Sequence, residues 1–145
     1  MASLSQAIDQ LSTRARAQKV QLIGYSGGGA LATLLAARRK DVEGLITVAG
    51  VLDVEAWTRG EGLTPLWRSL NPAGAVDGLR SIRQIHFVGQ LDRDVPPRIA
   101  VSFARRFGPG ASPSVVELPG YDHHCCWVRD WPALLIRAER ESRVP

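Results

Sequence analysis

Apolar and polar positions along this chain follow two periods. Leu4, Ile8, Leu11 and Ala15 recur at helical spacing and predict an amphipathic helix over residues 3–18. Residues 19–25 then read as a short strand, and residues 27–39, Ala- and Leu-rich and apolar nearly all round, as a buried helix. Leu45-Ile46-Thr47-Val48-Ala49, Ile85-His86-Phe87-Val88-Gly89 and Ser114-Val115-Val116-Glu117-Leu118 are three further strands. Pro96 and Pro97 open a helix with Ile99, Phe103 and Phe107 on one face. Asp130 is placed as the N-cap of a last helix, with Pro132 in its first turn and Trp131, Leu134, Leu135 and Ala138 as its apolar stripe. Residues 51–83 read as irregular, with Gly60, Gly62, Pro65, Pro72 and Gly74 as breakers and Trp57 and Trp67 as anchors.

Short apolar strands separated by helices imply right-handed βαβ crossovers. The expected class is therefore α/β, with about four parallel strands and flanking helices. In such sheets, sites form at the carboxyl ends of the strands. The 145 residues suit a single domain, 1–145, with one core. No internal repeat or low-complexity segment interrupts it.

Composition narrows the function classes. Apolar residues make up 45% and charged residues 22%, which is ordinary for a globular chain. No apolar run approaches the roughly 20 residues of a membrane helix. The polar start lacks a basic segment followed by an apolar block, so no signal peptide is expected and a cytoplasmic location is the default. The net charge is +4. The basic residues, nearly all Arg, are scattered from Arg14 to Arg143 among acids, and Arg38-Arg39-Lys40 reads as the solvated end of a helix. With no stripe or aromatic platform, nucleic acid is not an expected partner. Cys125 and Cys126 are adjacent, and the tight ring between neighbours argues against a disulfide, so the chain suits a reducing compartment.

Three groups fall just after strands. Gly24-Tyr25-Ser26-Gly27-Gly28 is a G-x-S-x-G between a strand and a helix. A turn with almost no loop forces Ser26 into a strained backbone and lifts its hydroxyl above the sheet. Gly24 and Gly28 are expected to allow strand and helix to approach, and the Gly27 N–H to serve as an oxyanion donor. A dinucleotide fingerprint would need Gly at position 26, and a phosphate loop would need a Lys that is missing, so no cofactor is expected. Asp92, past the third strand, is the candidate acid; Asp53, past the second, is its rival, and Asp94 is read as a helix cap. After the fourth strand, His123 and His124 compete as the general base. His86, within a strand, is read as structural. Residues 123–126 are consecutive and would point ligand atoms in divergent directions, so no metal site is expected. A nucleophilic Cys125 is discounted because no glycine elbow surrounds it.

The order Ser…Asp…His matches the α/β-hydrolase arrangement. The chain resembles that superfamily, and within it a bacterial serine-hydrolase group, through Gly24 to Ala30, Leu70-Asn71-Pro72, Val88 to Asp92 and Pro119 to Trp127. The resemblance covers nearly the whole chain. It implies that His123 is the catalytic histidine and that the substrate is a small carboxylic ester or related acyl compound, without a cofactor. A full fold of that family has several strands ahead of the nucleophile strand, whereas one helix precedes it here. The expectation is therefore the C-terminal half of an α/β-hydrolase fold, lacking the loop that gives a second oxyanion N–H. Such a fragment could be catalytically weak, or act as a binding or partner-dependent module. Its first strand would be an exposed edge, open to a homo-oligomer or a missing N-terminal half.

Overall fold

A computed structural model describes residues 1–66, 68–110 and 113–141; Trp67, read above as an anchor, lies outside them. Helix α1 (Ala2–Ala15) leads into strand β1 (Val20–Tyr25), followed by α2 (Gly27–Ala36) and β2 (Val42–Val48). Helix α3 (Val54–Gly60) and two 3-10 turns (Pro72–Gly74 and Val76–Leu79) lead to β3 (Arg83–Gly89). The chain continues through α4 (Arg98–Arg105), β4 (Ser114–Leu118) and α5 (Trp127–Glu141). The strands form one parallel sheet in the order β1-β2-β3-β4, with β1 and β4 at its edges.

The central strands β2 and β3 are buried on both faces, which accounts for their continuous apolar runs. On one face, Leu45 and Val88 pack with Ala32 and Ala36 of α2 and with Ala100 and Phe103 of α4. On the other, Ile46, Phe87 and Val116 pack with Trp127, Leu134 and Ala138 of α5. This second layer stops short of β1, where Ile23 and Tyr25 stay 48% and 44% exposed.

Several local expectations are corrected. The segment 51–83 is not wholly irregular: Asp53 accepts the Ala56 N–H and caps α3. Helix α2 ends at Ala36, short of residue 39, and α1 ends at Ala15. The Leu4–Leu11 stripe of α1 is not buried; Leu11 is 64% exposed. Arg39 is not a solvated helix end: its guanidinium, 11% exposed, holds Asp9 and Ser5 of α1 together with Asp41. Helix α5 starts at Trp127, and Asp130 lies in its first turn with its N–H donated to Cys126, so Asp130 is not the cap. Tyr121 and Arg129 engage the Asp130 carboxylate instead. Asp94 caps no helix, since α4 follows Pro97 without a side-chain cap.

His86 is fully buried in β3, with Nδ1 2.8 Å from Thr47 Oγ1 and its ring edge-on to Phe103. Burial pushes its pKa down to about 3. The unfolded chain binds a proton at this residue below its ordinary value of 6.5, and the folded chain only near 3. Stability from His86 is thus complete above pH 6.5 and is lost as pH falls toward 3. Urea unfolding at pH 7 and pH 5 should show a loss about 2 kcal/mol larger for the wild type than for His86→Gln. Equal losses in the two proteins would refute this origin.

Candidate active site

The link between β1 and α2 is a single residue. Ser26 sits at φ 51° and ψ −124°, between the last residue of β1 and the first of α2. Its N–H donates to the Val48 carbonyl and its own carbonyl accepts from Gly29 and Val51, so both sides of the strained residue are fixed. The close approach behind it occurs at Gly24, where a Cβ would lie 2.4 Å from the Gly28 carbonyl oxygen. Gly28 itself faces open space, contrary to expectation. Gly29, which sequence reasoning passed over, fills the second tight position: its Cβ would lie 2.9 Å from Gly50 Cα. Gly27 begins α2, so its N–H has no intrahelical partner and stands beside the Ser26 hydroxyl.

Asp92 follows β3 in a turn it organises itself. Its Oδ1 accepts the N–H groups of Asp94 (2.9 Å) and Val95 (2.8 Å). Its Oδ2 lies 2.8 Å from His123 Nδ1, and His123 Nε2 lies 3.0 Å from Ser26 Oγ. A carboxylate only accepts, so Nδ1 carries the hydrogen and Nε2 is left to face the hydroxyl. Asp92 and His123 are both buried. The structure thus brings together Ser26, Asp92 and His123 in one hydrogen-bonded chain.

The rivals go elsewhere. Asp53 is buried beside Ser102, Asn71 and Arg106. Burial opposes its charge, yet hydrogen bonds from Ala56 N–H, Ser102 and Asn71, with Arg106 nearby, hold its pKa below the ordinary carboxylate value. His124 is exposed, with Nε2 3.7 Å from Asp94. Cys125 and Cys126 are joined to each other by a disulfide, which corrects the expectation of free thiols. The potential ligand atoms of Asp92, Asp94 and His123 lie within 4.8 Å of one another, but the facing atoms of Asp92 and His123 are already bonded together.

Three residues position the histidine without having stood out as functional in the sequence. The carbonyl of His123 accepts the Tyr25 hydroxyl (2.7 Å) and the Trp127 indole N–H (3.0 Å). Burial, with the nearby carboxylates of Asp92, Asp94 and Asp122, pushes the Tyr25 phenol above its ordinary value, so it stays a donor. Gly89 lets this loop lie against β3, since a Cβ there would meet the Tyr121 carbonyl oxygen at 2.6 Å. Tyr25 was visible as the second residue of the motif; the roles of Gly89 and Trp127 have no local signal.

A cavity of about 560 Å³ opens in front of Ser26 and His123. Leu31, Leu34, Val51, Trp57 and Leu70 give it apolar walls, and Arg68 and Asp94 also reach it. Trp57 is held there by its indole N–H, which donates to the Asp94 carbonyl at 2.7 Å.

No protein-family model and no curated protein matches the sequence. Solved structures do. The chain is similar to the esterase domain of a Rhodothermus marinus protein, with a TM-score of 0.69 and 19% identity over 95% of this chain and 66% of that one. It is also similar to MGS-MChE2, an α/β-hydrolase enzyme from the metagenome of lagoon sediments of Mar Chica, Morocco (TM-score 0.69, 16% identity, 99% of this chain and 71% of that one). A third is the acylaminoacyl peptidase of Pyrococcus horikoshii (TM-score 0.71, 12% identity, 95% of this chain and 25% of that one). The chain thus spans only part of these proteins, and what it shares with them is the fold: a parallel sheet of the α/β-hydrolase type. Among the described residues no helix is long and apolar enough to cross a membrane.

The glycine geometry gives a paired prediction. Gly24→Ala should destabilise the chain by about 3 kcal/mol, because its Cβ meets backbone that cannot yield. Gly28→Ala should be neutral or stabilising by about 0.5 kcal/mol, since the added methyl meets nothing and favours the helix. Thermal unfolding of both variants checks the pair; the reverse ranking would contradict the close approach at Gly24.

Proposed function

We propose that this chain is the catalytic part of a serine hydrolase acting on carboxylic esters or related acyl compounds. The observation that carries this reading is the hydrogen-bonded chain Ser26–His123–Asp92 on a strained turn at a helix N-terminus. His123 Nε2 accepts the Ser26 proton as Oγ attacks the acyl carbon. Negative charge develops on the former carbonyl oxygen, where the Gly27 N–H and the positive end of α2 stabilise it. The intermediate collapses as His123 returns the proton to the leaving alkoxide, and the acyl group stays on Ser26. Water, deprotonated by His123, then releases the acid by the same steps in reverse. Asp92 holds the imidazole orientation and stabilises the imidazolium formed in each half-reaction. The apolar cavity suits an uncharged acyl chain, packed between Leu31, Leu34 and Trp57.

A second reading, activity dependent on another chain, is favoured by the uncovered flank of β1. Ile23, Tyr25, Trp127, Val128 and Trp131 line an open apolar groove of about 460 Å³ there. A strand added along β1 would cover it, and could bring a second oxyanion donor; losing one such donor typically costs on the order of a hundredfold in rate.

A fluorophosphonate probe should label the folded chain at Ser26, read by mass spectrometry, and leave Ser26→Ala unlabelled. A folded chain without a Ser26 adduct would move the balance to the partner-dependent reading. Asp92→Asn should slow labelling by on the order of 10³–10⁴-fold, because the imidazole loses its tautomer and orientation. Asp53→Ala should leave the labelling rate near wild type while lowering stability by about 2 kcal/mol, through a lost cap and unpaired Ser102 and Asn71. Slow labelling in the Asp53 variant and normal labelling in the Asp92 variant would reverse the assignment.

A further inference from the structure

The loop that carries His123 ends in a feature the acyl chemistry does not use. Cys125 and Cys126 are bonded to each other, closing a small ring around the peptide bond between them. Cys126 sits at φ 82°, a region that strains any residue with a Cβ. Its carbonyl accepts the Asp130 N–H, so this strained residue sets the direction in which the chain enters α5. Trp127 comes next, and its indole N–H donates to the carbonyls of Asp122 (2.9 Å) and His123 (3.0 Å). On the other side, the Asp122 carboxylate accepts the N–H groups of His124 and Cys125. Those two bonds, from Cys125 first, hold the Asp122 pKa below its ordinary value. The ring therefore lies between a clamp on the His124 and Cys125 N–H groups and a clamp on the Asp122 and His123 carbonyls. Cys125 is exposed and Cys126 half-buried, so a reductant in solution can reach the bond.

We propose that the Cys125–Cys126 disulfide is a reversible redox latch that holds His123 in line with Ser26 and Asp92. The partner chemistry is a dithiol, small or protein-borne. One of its thiolates attacks Cys125 Sγ, forms a mixed disulfide and expels the Cys126 thiolate. Its second thiol then displaces Cys125. Two electrons and two protons pass to the cysteine pair, and the dithiol leaves as a disulfide. Without the ring, Cys126 relaxes to negative φ, the start of α5 shifts, and the Trp127 indole no longer pins the His123 carbonyl. The closed form is the competent one, since Ser26, His123 and Asp92 are aligned with the bond in place.

Only the labelling readout of this proposal rests on the acyl-transfer reading. Peptide mapping of chain purified without reductant should find Cys125 bonded to Cys126. Dithiothreitol should open the pair and accelerate amide hydrogen exchange across residues 119–127. It should also slow fluorophosphonate labelling of Ser26 about tenfold, equivalent to ~1.4 kcal/mol in barrier. The Cys125→Ser/Cys126→Ser variant should behave as the reduced chain whether or not dithiol is present. Cys125→Ser/Cys126→Gly should keep the fast rate and ignore dithiol, because glycine holds positive φ without a ring. Two free thiols in the untreated chain, or unchanged exchange across residues 119–127 after the bond opens, would overturn the latch. A shift in exchange with no labelling in either state would uphold the latch and move the balance for Ser26 to the partner-dependent reading.

Discussion

The strand-to-helix turn at Ser26 constrains everything around it. A residue at φ 51° between β1 and α2 persists only if its neighbours fix it, and they do so through backbone. The Val48 carbonyl at the end of β2 receives its N–H, and its carbonyl receives the N–H groups of Gly29 and Val51. Gly24 and Gly29 let α2 settle against the strand ends at distances no side chain would allow. The result is a hydroxyl held above the sheet, beside the free N–H of Gly27, with an apolar cavity in front of it.

The other two members come from the far half of the sheet, since Ser26 follows β1 while Asp92 and His123 follow β3 and β4. With the order β1-β2-β3-β4, the turn after β3 and the loop after β4 leave from neighbouring strand ends. The missing Cβ of Gly89 lets the two segments touch, and the Leu91 N–H donates to the Tyr121 carbonyl across that contact. Asp92 then fixes its own turn with one carboxylate oxygen and turns the other to His123. The histidine is held by its backbone as much as by its ring: Tyr25 from the Ser26 turn and Trp127 from α5 both donate to its carbonyl. Cys126, at φ 82°, lies in the same loop, next to Trp127.

The burial pattern is uneven, and the unevenness has a direction. Helix α5 covers β2 to β4 but leaves Ile23 and Tyr25 of β1 half exposed, and α1 buries none of its residues. An edge strand with apolar side chains and unpaired backbone groups favours pairing with further strands. The solved structures that share this fold are longer than this chain.

By itself the sequence determined the α/β class and the four strands, and it put forward Ser26, with Asp92 ahead of Asp53 and, through the family resemblance, His123. Strand periodicity, Gly24-Tyr25-Ser26-Gly27-Gly28 and the Ser…Asp…His order are local signals, carried by residues adjacent in the chain. Tertiary structure shows which candidates meet: Asp92 and His123 line up with Ser26, while Asp53 and His124 point elsewhere. Both acids follow strands, but only packing shows that Asp53 is occupied by α3, Ser102 and Asn71. Both histidines share a loop, and the side that faces Ser26 depends on how Tyr25 and Trp127 grip the backbone. The same holds for Gly29 in place of Gly28 at the second close approach and for the unburied stripe of α1. Each depends on contacts between segments far apart in sequence, and no local pattern encodes the distance between them.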